Sequence, residues 1–179
     1  MSRTATTTEH VVSRLDIPTG MPFDRFCDAF ESLAPVFDSA VVARITAGGG
    51  SWDDVRAAVN ANAPHGLMIF TSIDAGPLMA AAGHRARATE YLLGNHVVAE
   101  QMFRHDPLAL LYAPLRILVH EGDHGEATFS LDRPSTLFAS LRDPRITEIG
   151  HGLDRKVSDL LSLLGVDAAA VLLAGSTDR

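Results

Sequence analysis

The sequence predicts a single α+β domain, on three observations. Leu115, Ile117 and Val119 alternate with Arg116, Leu118 and His120, and the alternation resumes at Ala127, Phe129 and Leu131 beyond the turn-forming Glu121-Gly-Asp-His-Gly125. That is an antiparallel hairpin over 115–131. Phe23, Phe26, Cys27, Phe30 and Leu33 recur at helical spacing near the start, as do Leu153, Val157, Leu160, Leu161 and Leu164 near the end. Each set makes one apolar helix face. Between them, Leu67–Ile73 is a mostly apolar, β-rich run bounded by Gly and Pro, which reads as a strand. No repeat, charged block or linker marks a second domain. Residues 1–10 read as a disordered lead-in and 11–179 as one domain.

The totals fit this class. A chain of 179 residues, 46% hydrophobic and 21% charged, buries a sizeable core without disulfides or metals. Its single cysteine, Cys27, excludes an internal disulfide and suits a reducing compartment, so the cytoplasm is the expected location. The net charge of −7 argues against non-specific nucleic-acid binding, which needs a basic surface. The apolar runs are too short to span a bilayer, and MSRTATTTEH lacks the apolar segment of a signal peptide.

In chain order, Val11–Ile17 reads as a first strand closed by Pro18-Thr-Gly20, and Pro22 as the first position of the helix that follows. Ala47-Gly-Gly-Gly50 is a connector and not a phosphate loop, since Ser51-Trp-Asp-Asp54 lacks the Lys-Ser/Thr pair. Ser51 and Asp54 make an N-cap with an acidic first turn for a helix facing Trp52, Val55 and Val59 inward. Pro64-His-Gly66 ends it before the 67–73 strand. Asp74-Ala-Gly-Pro77 turns into a short helix, 78–82, stopped by Gly83, and Thr89–Leu93 is a further strand. Asn95 or His96 caps the next helix, whose buried face is Val98, Ala99, Met102 and Phe103. Asp106-Pro107 ends it and opens a second piece that Pro114 stops. After the hairpin, Ser135 caps a helix to Leu141, Asp143-Pro144 opens another piece, Gly165 ends the long amphipathic helix, and Asp167 caps a last turn through Leu173.

Three of these features together carry a resemblance: the strand Leu67–Asp74, the Leu-Leu-Gly-Asn95 turn, and Asp106-Pro107 leading through Ala113-Pro-Leu-Arg-Ile-Leu118 into a hairpin. Over residues 65–140 the chain resembles the bacterial domain of unknown function 302 family. The resemblance implies a curved antiparallel sheet with helices packed on one face, similar to the TATA-binding-protein-like folds, and a homodimer. It implies no reaction. His96 stands where the family usually has a small residue or proline, and the segments 1–64 and 141–179 extend beyond the family-like core.

The densest grouping of chemically able side chains lies in the same stretch. On a helix His96 and Glu100 share a face, and Glu100 pairs with Arg104. His96 then serves as a proton shuttle or ligand, Glu100 orients it, Arg104 binds an anionic group, and His105 completes the set. A helix start beside His96 favours the neutral imidazole. The alternative is structural: a surface Glu100–Arg104 pair, a first-turn His96, and His105-Asp106-Pro107 closing the helix. The sequence weighs the two equally. His120-Glu-Gly-Asp-His124 has the spacing of zinc-protease helices, but Gly122-Asp123 breaks any helix there, and an exposed hairpin tip is the better reading. A metal set from His84, His96 and Glu100, or haem held by a His or Tyr91, is a weaker variant; no cofactor is specified. Cys27 lies in an apolar stripe and reads as a small buried hydrophobe.

The expected function is therefore small-molecule binding in a pocket between the sheet and the 96–105 helix. Tyr91, Asn95, Met102, Phe103 and Tyr112 are its candidate walls. A cofactor-independent isomerase, cyclase or hydrolase using His96, Glu100 and Arg104 is the alternative, and a metal- or haem-binding protein the second. No nucleic-acid or membrane partner is expected.

Overall fold

The computed structural model describes residues 4–174. In chain order its elements are β1 (Arg14–Pro22), α1 (Phe23–Leu33), α2 (Ser39–Ala47), α3 (Trp52–Asn62), β2 (Met68–Asp74), α4 (Gly76–Ala81) and β3 (Ala88–Gly94). Then follow α5 (His96–Phe103), a 3-10 turn (Pro107–Leu111), β4 (Leu115–Glu121), β5 (Glu126–Asp132), α6 (Pro134–Ala139), α7 (Pro144–Leu163) and α8 (Ala169–Leu172). The strands form one open antiparallel sheet in the order β1-β5-β4-β3-β2. This is the α+β class that the sequence patterns predict.

Alternation in the strands decides which face the helices cover. Ile17, Phe129, Leu115, Ile117, Val119, Tyr91 and Leu93 are all buried on the inner face. The helix stripes predicted at both ends of the chain close over it. Phe30 of α1 meets Phe129 and Tyr91 edge-on, with ring centroids 5.7 and 5.2 Å apart, and α7 adds Leu153, Val157, Leu160 and Leu161. Each such side chain contributes about 1.5–3 kcal/mol by leaving water. On the outer face Arg14, Arg116 and Leu118 are exposed. A smaller core of Val55, Val59, Ala63 and Met68 ties α3 to the start of β2.

Two close approaches fix the last helices. A Cβ on Gly150 of α7 would lie 3.1 Å from Ser135 Cα and 3.2 Å from Phe138 Cβ, so glycine lets α6 lie against α7. Asp154, 2% exposed, accepts the backbone N–H of Ser135 at 3.0 Å. It satisfies a helix end that has no cap from its own segment.

Two elements match their expected caps: Ser51 and Asp54 form a reciprocal capping box at α3, and Asp106 caps the 3-10 turn. At α8 the cap position is Ala168 instead of Asp167, which stands one residue earlier and accepts the N–H of Ala169. The hairpin turns at Gly122, whose N–H donates to Glu126 O at 2.8 Å.

Other expectations need correction. β1 begins at Arg14 instead of Val11 and runs on through Pro18 and Gly20 to Pro22. An edge strand tolerates proline, and the pairing register breaks between Pro18 and Pro22 around Gly20, φ +66°. α2 has no predicted counterpart, because it buries no residue and so shows no inward stripe. Trp52 and Phe103, expected inside, are 38% and 46% exposed. Both stand at helix ends, where Val55, Val59 and Met102 already fill the interior. Of the lead-in, residues 4–10 carry no helix or strand and 1–3 lie outside the described residues, as do 175–179 of the domain expected over 11–179.

Candidate functional site

The pocket grows from the junction of β3 and α5. Asn95 is the cap of α5, settling the choice between it and His96: its Oδ1 accepts the N–H of Val97 at 2.8 Å and of Val98 at 3.3 Å. Its Nδ2 donates to Gly66 O at 3.0 Å, tying the helix start to the α3–β2 connector. His96 is thereby fixed at the first helical position. Opposite it, the β2–β3 register shifts between Ile69 and Thr71, leaving Phe70 unpaired at a bulge, a device that re-aims a side chain. Gly94 lets Phe70 in: a Cβ there would stand 2.9 Å from Phe70 Cε2 and 3.6 Å from Pro114 Cα.

These contacts enclose a cavity of about 200 Å³ between the ends of β3 and β4, α5 and α7. Its walls are chiefly apolar, with Phe70, Met102, Leu110, Pro114 and Leu153 among them, and Asn95 and His96 are its polar members. The imidazole of His96 stacks on Phe70, centroids 4.8 Å apart at 15°, and meets Phe37 edge-on at 4.7 Å. Burial disfavours the charged ring and holds its pKa below the ordinary value. The neutral imidazole expected from the helix start is thus kept neutral by loss of water. A neutral ring of this kind both donates and accepts a hydrogen bond.

The other expected site residues do not converge here. Glu100 is held by Arg104, whose Nε donates to Oε1 at 3.1 Å and whose Nη2 donates to Oε2. Among the described residues no hydrogen bond joins Glu100 to His96. His105 is exposed beyond the end of α5, and Phe103 projects from the same end. Tyr112 lies on the other side of the 3-10 turn, against Phe138, with its hydroxyl 3.1 Å from Ser140 Oγ. Tyr91, 1% exposed, donates to Glu31 Oε1 at 2.9 Å and lines a separate cleft beside α1. His84 lines that cleft too, so it does not join His96 and Glu100. His120 lies in β4, one residue before its end, and His124 sits in the turn, so no helix brings them together. Among the described residues no group of three or more His, Cys, Asp or Glu side chains stands ready to hold a metal ion.

Reading the sequence alone missed Phe37, Phe70, Pro114 and Leu153 around His96. Phe70 carried no signal, because it closes the apolar run 67–70 like any strand residue and only the bulge turns it to the pocket. Pro114 was visible only as a stop. Cys27 is buried, and burial raises its thiol pKa, in keeping with an inert core position.

A five-stranded antiparallel sheet with helices on one face defines an α+β domain, with a small apolar-walled pocket at the start of α5. The chain belongs to the family described as domain of unknown function DUF302, whose profile matches residues 44–164. The match reaches past 65–140 on both sides and adds α3 and α7, leaving 1–43 and 165–179 outside it. The crystal structure of the uncharacterized conserved protein DUF302 from Bacillus stearothermophilus is similar, with a TM-score of 0.58 and 11% identity over 84% of this chain and 95% of that one. At that identity the likeness speaks for the fold. No curated protein matches.

Proposed function

We propose that this chain is a small-molecule-binding domain whose ligand, uncharged and largely apolar, enters the pocket beside His96. The observation that carries this reading is the neutral imidazole laid flat on Phe70 inside an apolar cavity. A charged ligand would lose its hydration there with no opposite charge to replace it, whereas an aromatic or aliphatic one gains contact with Phe70, Met102 and Leu153. His96 supplies the one hydrogen bond that orients the ligand, to a hydroxyl or carbonyl. This is the usual balance of a small-ligand site.

The acid–base alternative is weaker. Its orienting carboxylate, Glu100, is engaged by Arg104, and an exposed i,i+4 pair of this kind is ordinary helix surface. Glu100→Gln is therefore expected to leave ligand binding unchanged.

The test is a titration with indole, followed through the Met102 methyl and the His96 ring protons by NMR. Saturable shifts at both, abolished when Ala99→Phe fills the cavity, support the reading. No saturable shift at millimolar indole, or shifts that survive Ala99→Phe, would overturn it.

The proposed assembly is a homodimer through the outer face of the sheet, in the cytoplasm. Leu118 and Ile73, 41% and 55% exposed, lie on that face near Glu90 and Arg116. Opposite charges flanking an apolar centre suit a two-fold contact, in which each Arg116 meets the other copy's Glu90. No described helix is long and apolar enough to cross a membrane.

A further inference from the structure

The two edges of the sheet are unlike. β1, at one edge, carries Pro18 and Pro22, which have no N–H to offer, a register break between them, and the Arg14–Asp16 ion pair at 3.0 Å. Proline, irregular pairing and charge are the usual means of keeping a foreign strand off an edge. β2, at the other edge, ends in Thr71-Ser-Ile-Asp74, which has neither proline nor glycine, and all four residues are exposed. Among the described elements β2 packs closely against β3 alone.

The ladder decides which backbone groups look outward. Ala75 N–H donates to Ala88 O at 2.9 Å, and bonding alternates along an antiparallel pair. Ile73 and Thr71 therefore turn their N–H and C=O to β3, whereas Ser72 and Asp74 turn theirs to the open edge. At the start of the strand the chain fills that edge itself. Ile69 N–H donates to Pro35 O at 3.2 Å and Phe37 N–H donates to Ile69 O at 2.8 Å, so Val36 lies parallel to β2 as a short added strand. Asp38 then caps α2 and the chain leaves the edge. Among the described residues the outward N–H and C=O groups of Ser72 and Asp74 have no backbone partner.

We propose that this edge takes an extended segment of a partner protein as an added strand, parallel to β2 and in line with Val36. About five residues suffice, with the second beside Ser72 and the fourth beside Asp74. The first and third carbonyls of the segment then accept the N–H groups of Ser72 and Asp74. Its third and fifth N–H groups donate to their C=O. The third residue stands beside the exposed Ile73, which suits a β-branched side chain, as Val36 already shows. The fourth stands beside the Asp74 carboxylate, which accepts the Gly76 N–H at 2.8 Å. Among the described residues that carboxylate makes no ion pair, with Arg85 or any other cation. Lysine suits this position, and the net charge of −7 favours approach of a basic segment. Main-chain bonds supply the affinity and alternate side chains the selection. The edge site does not depend on the pocket at His96.

The probe is the peptide acetyl-Thr-Thr-Val-Lys-Thr-amide, titrated against the full chain and followed by amide NMR and hydrogen exchange. The amides of Ser72 and Asp74 are expected to exchange fast in the free protein and to slow about ten-fold or more at saturation. Those of Thr71 and Ile73, bonded to β3, stay slow throughout. Saturation is expected at roughly millimolar peptide, since a few net backbone bonds are offset by the ordering of a short chain. N-methylating the valine removes the N–H that reaches Ser72 O and should abolish binding. Glutamate in place of lysine should weaken it about five-fold, and Asp74→Asn should erase that preference. Ser72→Pro removes an outward N–H that an edge strand can spare. It should abolish binding while slow exchange at Ile73 shows the sheet intact. Ala99→Phe, in the other pocket, leaves peptide binding unchanged. Equal binding of the N-methylated or the glutamate peptide, or no saturable slowing at Ser72 and Asp74, would overturn the assignment. So would slow exchange at both amides in the free protein that is lost on dilution, which would give the edge to a second copy of the chain.

Discussion

The imidazole of His96 lies on the ring of Phe70, centroids 4.8 Å apart and planes 15° from parallel. One residue comes from the first turn of a helix and the other from a bulge in an edge strand. Their contact turns two unremarkable sequence positions into the wall of a pocket.

It also makes the protein's stability depend on pH. The folded pKa of His96 is lowered by burial, so below the unfolded value of about 6.5 the unfolded chain binds the proton more readily. The neutral ring's contribution is complete above that value and is lost as pH falls through the folded pKa. Urea denaturation should show the midpoint dropping further between neutral and mildly acidic pH in the wild type than in His96→Phe, which keeps the stack and cannot titrate. An NMR titration placing the His96 pKa at or above the ordinary histidine value would contradict the assignment.

Gly94→Ala puts a methyl group 2.9 Å from the Phe70 ring. The ring is held by His96 and Phe37, so the strain cannot relax freely, and the loss of stability should be about 1–3 kcal/mol. Phe70 must also shift relative to His96, moving the His96 ring proton resonances. Unchanged resonances would mean that Gly94 does not set this contact.

Asp154 stabilises the start of α6 from within α7. Asp154→Leu removes the acceptor of the Ser135 N–H, and leaving that buried donor unpaired should cost about 1–3 kcal/mol in chemical denaturation. Asp154→Asn keeps an acceptor oxygen and should lose less. Equal losses in the two variants would show that packing, not the hydrogen bond, sets the effect.

Leu118→Arg places a charge in the centre of the sheet's outer face. Light scattering should find the wild type dimeric and this variant monomeric, with the helical content of the two alike. A monomeric wild type at high concentration would remove the proposed dimer.

What the sequence determined by itself was whatever depends on neighbours along the chain. The period-two runs of β4 and β5, the helical stripes of α1 and α7, and the caps at Ser51 and Asp106 follow from local geometry and were legible. So were a cap at Asn95 or His96 and the helix that starts there, since these are local features. The tertiary structure alone decided what those residues meet. The bulge at Phe70, the distance from Gly94 to that ring, and the separation of Tyr91 and His84 from His96 all depend on sheet register and on how far α1 reaches. Register is set by the burial of whole faces and by long-range pairing. A bulge at position 70, between the apolar Ile69 and the polar Thr71, leaves no mark of its own in the sequence.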